Sequence, residues 1–220
     1  MKVLITGTSS GIGRATAEKF LRKGYEVIGF DIKEKTISMP CYTHFKLDIS
    51  KDELPELEGV SIVINNAGTI AEKDAIATNL EGYIRVVEKY CYTGEVKSIV
   101  NVASISGHVG LDTARYAASQ GGRLAYTKHL AITLGKLFKT RVNSISPGAV
   151  LSGLEPELYQ DKALLNAVAN ENILKKWIQP EEIADWIYFV AVKDKSMTGQ
   201  DILIDNGEVA NFNFIASADR

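Results

Sequence analysis

The first thirty-one residues constrain this chain more than any other stretch. Lys2-Val3-Leu4-Ile5-Thr6 is a short apolar run that breaks into Gly7-Thr8-Ser9-Ser10-Gly11-Ile12-Gly13. From Arg14 to Lys23 the pattern is helical, with Ile12, Ala15, Ala17, Phe20 and Leu21 forming an apolar stripe. Gly24 follows as a C-cap, and Tyr25 to Phe30 predicts a second strand that stops at Asp31. Glycines permit a tight turn and the close approach of a ligand, while a helix starting there offers unpaired N–H groups and a partial positive charge. Asp31 stands about where an acid would grip a ribose diol. Surface turns also use Gly and Ser, so the glycines alone decide little. Strand, loop, helix, strand and acid in this order point to a dinucleotide site.

The rest of the chain repeats the alternation. Strands are predicted at Tyr42 to Leu47, Val60 to Ile64, Ser98 to Val102, Arg141 to Ile145 and Asp201 to Ile204. Helices are predicted from about Ala71 to Tyr90, Asp112 to Phe138, Glu155 to Lys176 and, after Pro180 at a favoured helix start, Ile183 to Val192. Apolar, β-branched strands separated by helices imply an α/β fold: one doubly wound parallel sheet of about seven strands with helices on both faces. The 220 residues suit a single domain, with 151–176 as a lid over substrate. In such sheets ligands bind beyond the carboxyl ends of the strands. The unusual residues gather there: Gly7 to Gly13, Asp31, Asn65 to Gly68, Ser104, and Pro147 to Ser152. Asp48, ending the third strand, either accepts hydrogen bonds near an adenine ring or caps a helix from Ile49 onward.

Composition excludes some classes. A net charge of -2 gives no reason to expect nucleic acid or an anionic membrane as partner. Cys41 and Cys91 fit no metal-ligand spacing, and no metal is expected. No apolar run approaches membrane-spanning length, and the chain enters its first strand at once, leaving no room for a signal peptide. The expectation is a soluble, cytoplasmic protein.

At the strand tips, Ser104 leaves its strand with a hydroxyl exposed, and Tyr116 follows twelve residues later on the long helix. Serine and tyrosine facing one crevice can hold a carbonyl oxygen between a hydrogen-bond donor and a proton source, which suits hydride transfer. Taken singly, Ser104 reads equally as a turn residue and Tyr116 as a core residue.

With these residues in view, the chain resembles the short-chain dehydrogenase/reductase family from Met1 to about Gly207, and the resemblance implies a Rossmann-like fold. Thr6 to Gly13 is similar to its T-G-x-x-x-G-x-G cofactor motif, implicating Gly7, Ser9, Ser10, Gly11, Ile12 and Gly13. Asn65-Asn66-Ala67-Gly68 is similar to N-N-A-G, which implies that Asn66, Ala67 and Gly68 line the adenosine ribose. Asn79 resembles the helix asparagine that holds a proton-relay water. Ser104 matches the serine that orients the substrate oxygen, and Tyr116 matches the acid/base tyrosine. Pro147, Gly148, Val150 and Ser152 resemble P-G-x-V-x-T, which holds the nicotinamide carboxamide. Thr198-Gly199-Gln200 and Asp205-Asn206-Gly207 resemble the closing T-G-Q and D-G-G.

One departure stands out. The family motif is Y-x-x-x-K, and here it is Tyr116-Ala117-Ala118-Ser119-Gln120. The family's lysine binds the nicotinamide ribose and lowers the tyrosine pKa. A free tyrosine titrates near ~10; if the cation lowers that by about two, losing it costs roughly 3 kcal/mol, or about a hundredfold in ionised fraction. Gln120 can still bind a ribose hydroxyl but carries no charge. Arg123, seven residues beyond Tyr116, lies on nearly the same helical face and has the length to reach back; its alternative is a solvated or subunit-interface charge. His108 is either a substrate contact or merely exposed.

Asp31 accepts ribose hydroxyls and repels a 2′-phosphate, so NAD(H) is expected in preference to NADP(H). Gly121-Gly122 leaves the long helix bare for close helix approach, and the resemblance implies a homodimer or homotetramer. The functional expectation is an NAD(H)-dependent oxidoreductase interconverting a small-molecule alcohol and carbonyl, weakened or altered by Gln120. Its rival is a catalytically weak or inactive NAD-binding sensor or scaffold.

Overall fold

The computed structural model describes residues 1–153 and 161–211. Seven parallel strands form one sheet: β1 (Lys2–Thr6), β2 (Glu26–Asp31), β3 (Tyr42–Lys46), β4 (Val60–Asn65), β5 (Ser98–Val102), β6 (Arg141–Pro147) and β7 (Asp201–Ile204), in the order β3-β2-β1-β4-β5-β6-β7. Successive side chains on a strand point to opposite faces, so the buried runs feed two cores. Leu4, Val63 and Ile99 join Tyr83, Val87, Leu130 and Leu134 on one face. Val3, Ile5 and Val100 join Phe20, Leu21, Ile183 and Ile187 on the other. The helices behind these side chains are α1 (Gly11–Arg22), α2 (Gly82–Tyr90), α3 (Ser106–Val109), α4 (Ala114–Phe138), α5 (Lys162–Glu171) and α6 (Pro180–Tyr188). The expected doubly wound sheet is therefore present, and no described helix is long and apolar enough to cross a membrane.

Several boundaries differ from the sequence reading. Helix α1 starts at Gly11, not Arg14, so two glycines lie in its first turn. The predicted helix from Ala71 to Tyr90 is instead a 3₁₀ turn at Glu72–Asp74, a π-helical turn at Ala77–Glu81 and then α2. Asn79 lies within the π-helical turn. Its side chain accepts from Thr69 N at 2.8 Å and donates to Thr69 O at 2.9 Å, closing the preceding loop onto the helix start. The long helix begins at Ala114, after the separate short helix α3. Of the predicted helix at Glu155 to Lys176, residues 154–160 lie outside the described residues; α5 begins after Asp161, whose carboxylate accepts from Ala163 N and Leu164 N. Helix α6 opens on Pro180, with Glu182 accepting from Gln179 N at 2.8 Å, and gives way to a π-helical turn at Phe189–Lys193.

Candidate active site

The sheet order reverses direction at β1 and β4, since β2 and β3 lie to one side and β5, β6 and β7 to the other. Loops leaving the two strands part there, and a cavity of about 490 Å³ opens beyond their tips. The two tips are joined by side chains. Thr6 Oγ1 accepts from Asn66 N and Ala67 N, each at 3.0 Å, and Asn66 Nδ2 donates to Thr6 O at 3.0 Å.

The glycine turn packs onto this junction. Gly7 has φ +77°, and a Cβ on it would stand 2.7 Å from Asn66 Nδ2. A Cβ on Gly13 would stand 2.0 Å from Gly7 O, so only glycine lets α1 close onto the loop. Gly7, Ser10, Gly11 and Ile12 line the cavity; Gly13 supports them from behind. The first turn of α1 contains no acid, and Ser10 makes no side-chain cap, so the N–H groups of the helix start keep their capacity for an anion.

Asp31, at the end of β2, also lines the cavity. Its two oxygens accept one backbone bond each, from Ser9 N and Lys33 N at 2.8 Å. A carboxylate has about four acceptor positions, which leaves capacity for a ribose diol. Ser9 is buried and acts through this bond, its hydroxyl donating to Glu34 O at 3.0 Å. Asp48 lines the cavity too, and its Oδ1 accepts from Ser50 N and Ser50 Oγ, closing a turn instead of capping a helix.

Tyr116, Gln120 and Arg123 reach the cavity from α4, beside Ala67 and Gly68 from the β4 loop. Ser104 is placed just past the tip of β5 and is not a lining residue. Its Oγ accepts from Ser106 N and donates to Ser106 Oγ, which donates in turn to Asp112. Asn79 is fully buried behind the cavity wall, with its amide on Thr69 and Ser119 and its own carbonyl accepting from Arg123 Nε. Ser152 lines the cavity against Gly11, where an added Cβ would meet Ser152 O at 2.4 Å. Pro147, Gly148 and Val150 lie outside the lining: Gly148 packs on Asp205 and Glu208, and Val150 pairs with Ile178.

Three side chains have partners that the sequence left open. His108 is exposed, and its ring meets β6 and β7: Nε2 stands 2.8 Å from Asp201 Oδ2 and 3.3 Å from Ser146 Oγ. Gly122 is used within the chain, where a Cβ would meet Leu80 Cδ2 at 2.7 Å. Arg123 is neither solvated nor an interface charge but 3% exposed, with its guanidinium carbon 3.8 Å from the Tyr83 ring centroid. Among the described residues no group of three or more His, Cys, Asp or Glu could hold a metal ion.

Comparison with known proteins agrees with this architecture. A family model described as short chain dehydrogenase matches residues 1–46, and one described as Enoyl-(Acyl carrier protein) reductase matches residues 50–208. An uncharacterized oxidoreductase, YxbG, of Bacillus subtilis is 32% identical, covering 94% of this chain and 90% of its own. The 3-oxoacyl-[acyl-carrier-protein] reductase FabG of Thermotoga maritima is 31% identical, covering 94% and 96%. A solved 4-hydroxyisoleucine dehydrogenase mutant complexed with NADH and succinate superposes with a TM-score of 0.83 at 30% identity, covering 97% of this chain and 100% of that one.

Proposed function

Because the chain belongs to the short-chain dehydrogenase/reductase family, we propose that it is an NAD(H)-dependent oxidoreductase interconverting an alcohol and a carbonyl compound. The observation that carries this reading is one cavity lined jointly by the glycine turn, Asp31, Tyr116 and Gln120. The donor set fits a dinucleotide: open N–H groups at the start of α1 for a pyrophosphate, and a carboxylate with spare acceptor capacity for a diol. A nicotinamide, when bound, supplies or accepts the hydride. Gly7, Ser10, Gly11, Ile12, Asp31, Asp48, Asn66, Ala67, Gly68 and Ser152 would hold the cofactor, with Ser9 and Gly13 supporting the turn. Pro147, Gly148 and Val150 would shape the loop that carries Ser152. Tyr116 would pass a proton to or from the substrate oxygen, Ser104 would orient that oxygen, and Gln120 would donate to the nicotinamide ribose. Asn79 would hold the loop at Thr69 in register with α4.

Of the expected lid at 151–176, residues 154–160 lie outside the described residues; the flanking residues 151–153 and 161–176 would border a small-molecule substrate. Ile132 and Leu137 are exposed on α4, which supports a homodimer or homotetramer built on that helix. We place the protein in the cytoplasm.

The test is a screen of ketones, aldehydes and alcohols with NADH or NAD. Turnover of a carbonyl–alcohol pair is the expected result. Cofactor binding without turnover anywhere in the screen would favour the sensor or scaffold reading, for which the uncharged Gln120 speaks. A second prediction concerns Asp31. Fluorescence titration should show NADH binding several-fold more tightly than NADPH, and Asp31→Ala should erase that preference. The reverse order in the wild-type protein would remove Asp31 from the ribose.

A further inference from the structure

Arg123 is buried at a cost that its surroundings do not obviously repay. Enclosing a guanidinium is expensive unless it is paired, and among the described residues no carboxylate bonds to it. It is held instead by acceptor oxygens that all belong to the cavity wall or its backing. Nε donates to Asn79 O, Nη1 donates to Val102 O at 2.6 Å, and Nη2 donates to Ala67 O at 3.1 Å. The remaining bond runs from Nη1 to Gln120 Oε1 at 3.1 Å. Arginine has only donors, so it fixes the Gln120 amide with its oxygen inward. The amide nitrogen is then the end offered to a ligand hydroxyl, and the adjacent cation polarises it.

Among the described residues, the titratable groups facing the guanidinium are two phenols: Tyr83, across from it on α2, and Tyr116 on its own helix. Tyr83 is fully buried and donates to Val102 O at 3.2 Å, and burial pushes its pKa far up, so it stays neutral. Tyr116 is half-buried and lines the cavity, so it is the phenol whose ionisation the cation can balance. The other charged groups among the described residues lining the cavity are Asp31, Lys33, Asp48, Lys51 and Asp74.

We propose that Arg123 is the electrostatic positioning residue of the Tyr116 centre: standing behind Gln120, it supplies from the same face of α4 the positive charge that Gln120 lacks, favouring the phenolate form of Tyr116. The inference rests on Tyr116 being the acid/base group. Its mechanism is Coulombic, since a nearby opposite charge favours the ionised form of a neighbour.

The test needs neither substrate nor cofactor. The protein is labelled with tyrosine carrying ¹³C at Cζ, the Tyr116 resonance is assigned by its loss in Tyr116→Phe, and its titration is followed by NMR. In the wild-type protein Tyr116 should titrate below the ordinary tyrosine value of about 10. Arg123→Met should raise the midpoint, lowering the phenolate fraction at a fixed pH by about tenfold or more. Arg123→Lys, and the swap Arg123→Met/Gln120→Lys, should bring it back down. A wild-type midpoint at or above the ordinary value overturns the proposal, and that reading requires no Arg123 variant to fold. So does a midpoint unmoved by Arg123→Met, or one that neither lysine restores. An unproductive substrate screen would overturn the dehydrogenase reading and leave this titration intact, so the two failures are distinguishable.

Discussion

Tyr116→Phe should lower kcat by about 10³-fold, within the range that a positioned acid/base group contributes. The substitution removes one hydroxyl from a half-buried side chain and leaves the aromatic ring to fill the same wall of the cavity. Cofactor affinity should therefore change little, because the residues assigned to the adenosine half, Asp31 and the glycine turn, are untouched. Steady-state rates on a substrate found in the screen, paired with an NADH titration, check both halves. A phenylalanine variant that retains most of its turnover would take Tyr116 out of the proton transfer.

Gly13→Ala should be the most damaging single-methyl change in the cofactor half. The new Cβ would sit 2.0 Å from Gly7 O and 2.5 Å from Asn66 Nδ2, where backbone and a doubly bonded amide leave nothing flexible to move. Forcing helix α1 outward should cost about 3 kcal/mol, the upper end of ordinary overpacking. For a chain of this size that is a fall in Tm of roughly 6–12 °C. Gly135→Ala on α4 is the matched control. Its nearest neighbour would be Thr140 O at 3.7 Å, an ordinary contact, so helix propensity alone should make it stabilising by up to about 1 kcal/mol. Thermal unfolding of the two variants should give shifts of opposite sign. A Gly13→Ala protein as stable as wild type would mean that α1 does not seat on the loop as described.

What the sequence disclosed and what it hid divide along the distance between partners. The strand runs and the glycine turn are local signals, each carried by neighbouring residues, and the sheet assembled from them is the observed one. The short spacing from Asn65 to Asn79 already pointed to a late start of α2, but the 3₁₀ and π-helical turns before it were hidden, because periodicity from Ala71 onward looks helical while the bonds that interrupt it join Asn79 to Thr69 and Ser119. His108 meets Asp201 across 93 positions, and no local pattern marks that pair. Arg123 is the sharpest case. Its place on the Tyr116 face followed from helical spacing, but its burial depends on carbonyls from the β4 loop, the tip of β5 and the π-helical turn, with Tyr83 as the facing wall. Such a pocket for a cation exists only once the sheet and both helices have packed. Composition offers no hint of it.

The expected site residues divide by their distance from the cavity. Gly7, Asp31, Tyr116 and Gln120 all line one cavity, whereas Ser104 and Asn79 stand behind or beside it, engaged with Ser106 and Thr69. On the α4 side of the cavity the phenol, the amide and the buried guanidinium follow one another along one face.

The most direct measurement is a crystal structure of the protein with NADH. It should show the adenosine ribose on the Asp31 carboxylate, the pyrophosphate over the start of α1 and the nicotinamide ring beside the Tyr116 hydroxyl. A cavity closed by the chain's own side chains, or a phenol turned away from the bound ring, would contradict the account.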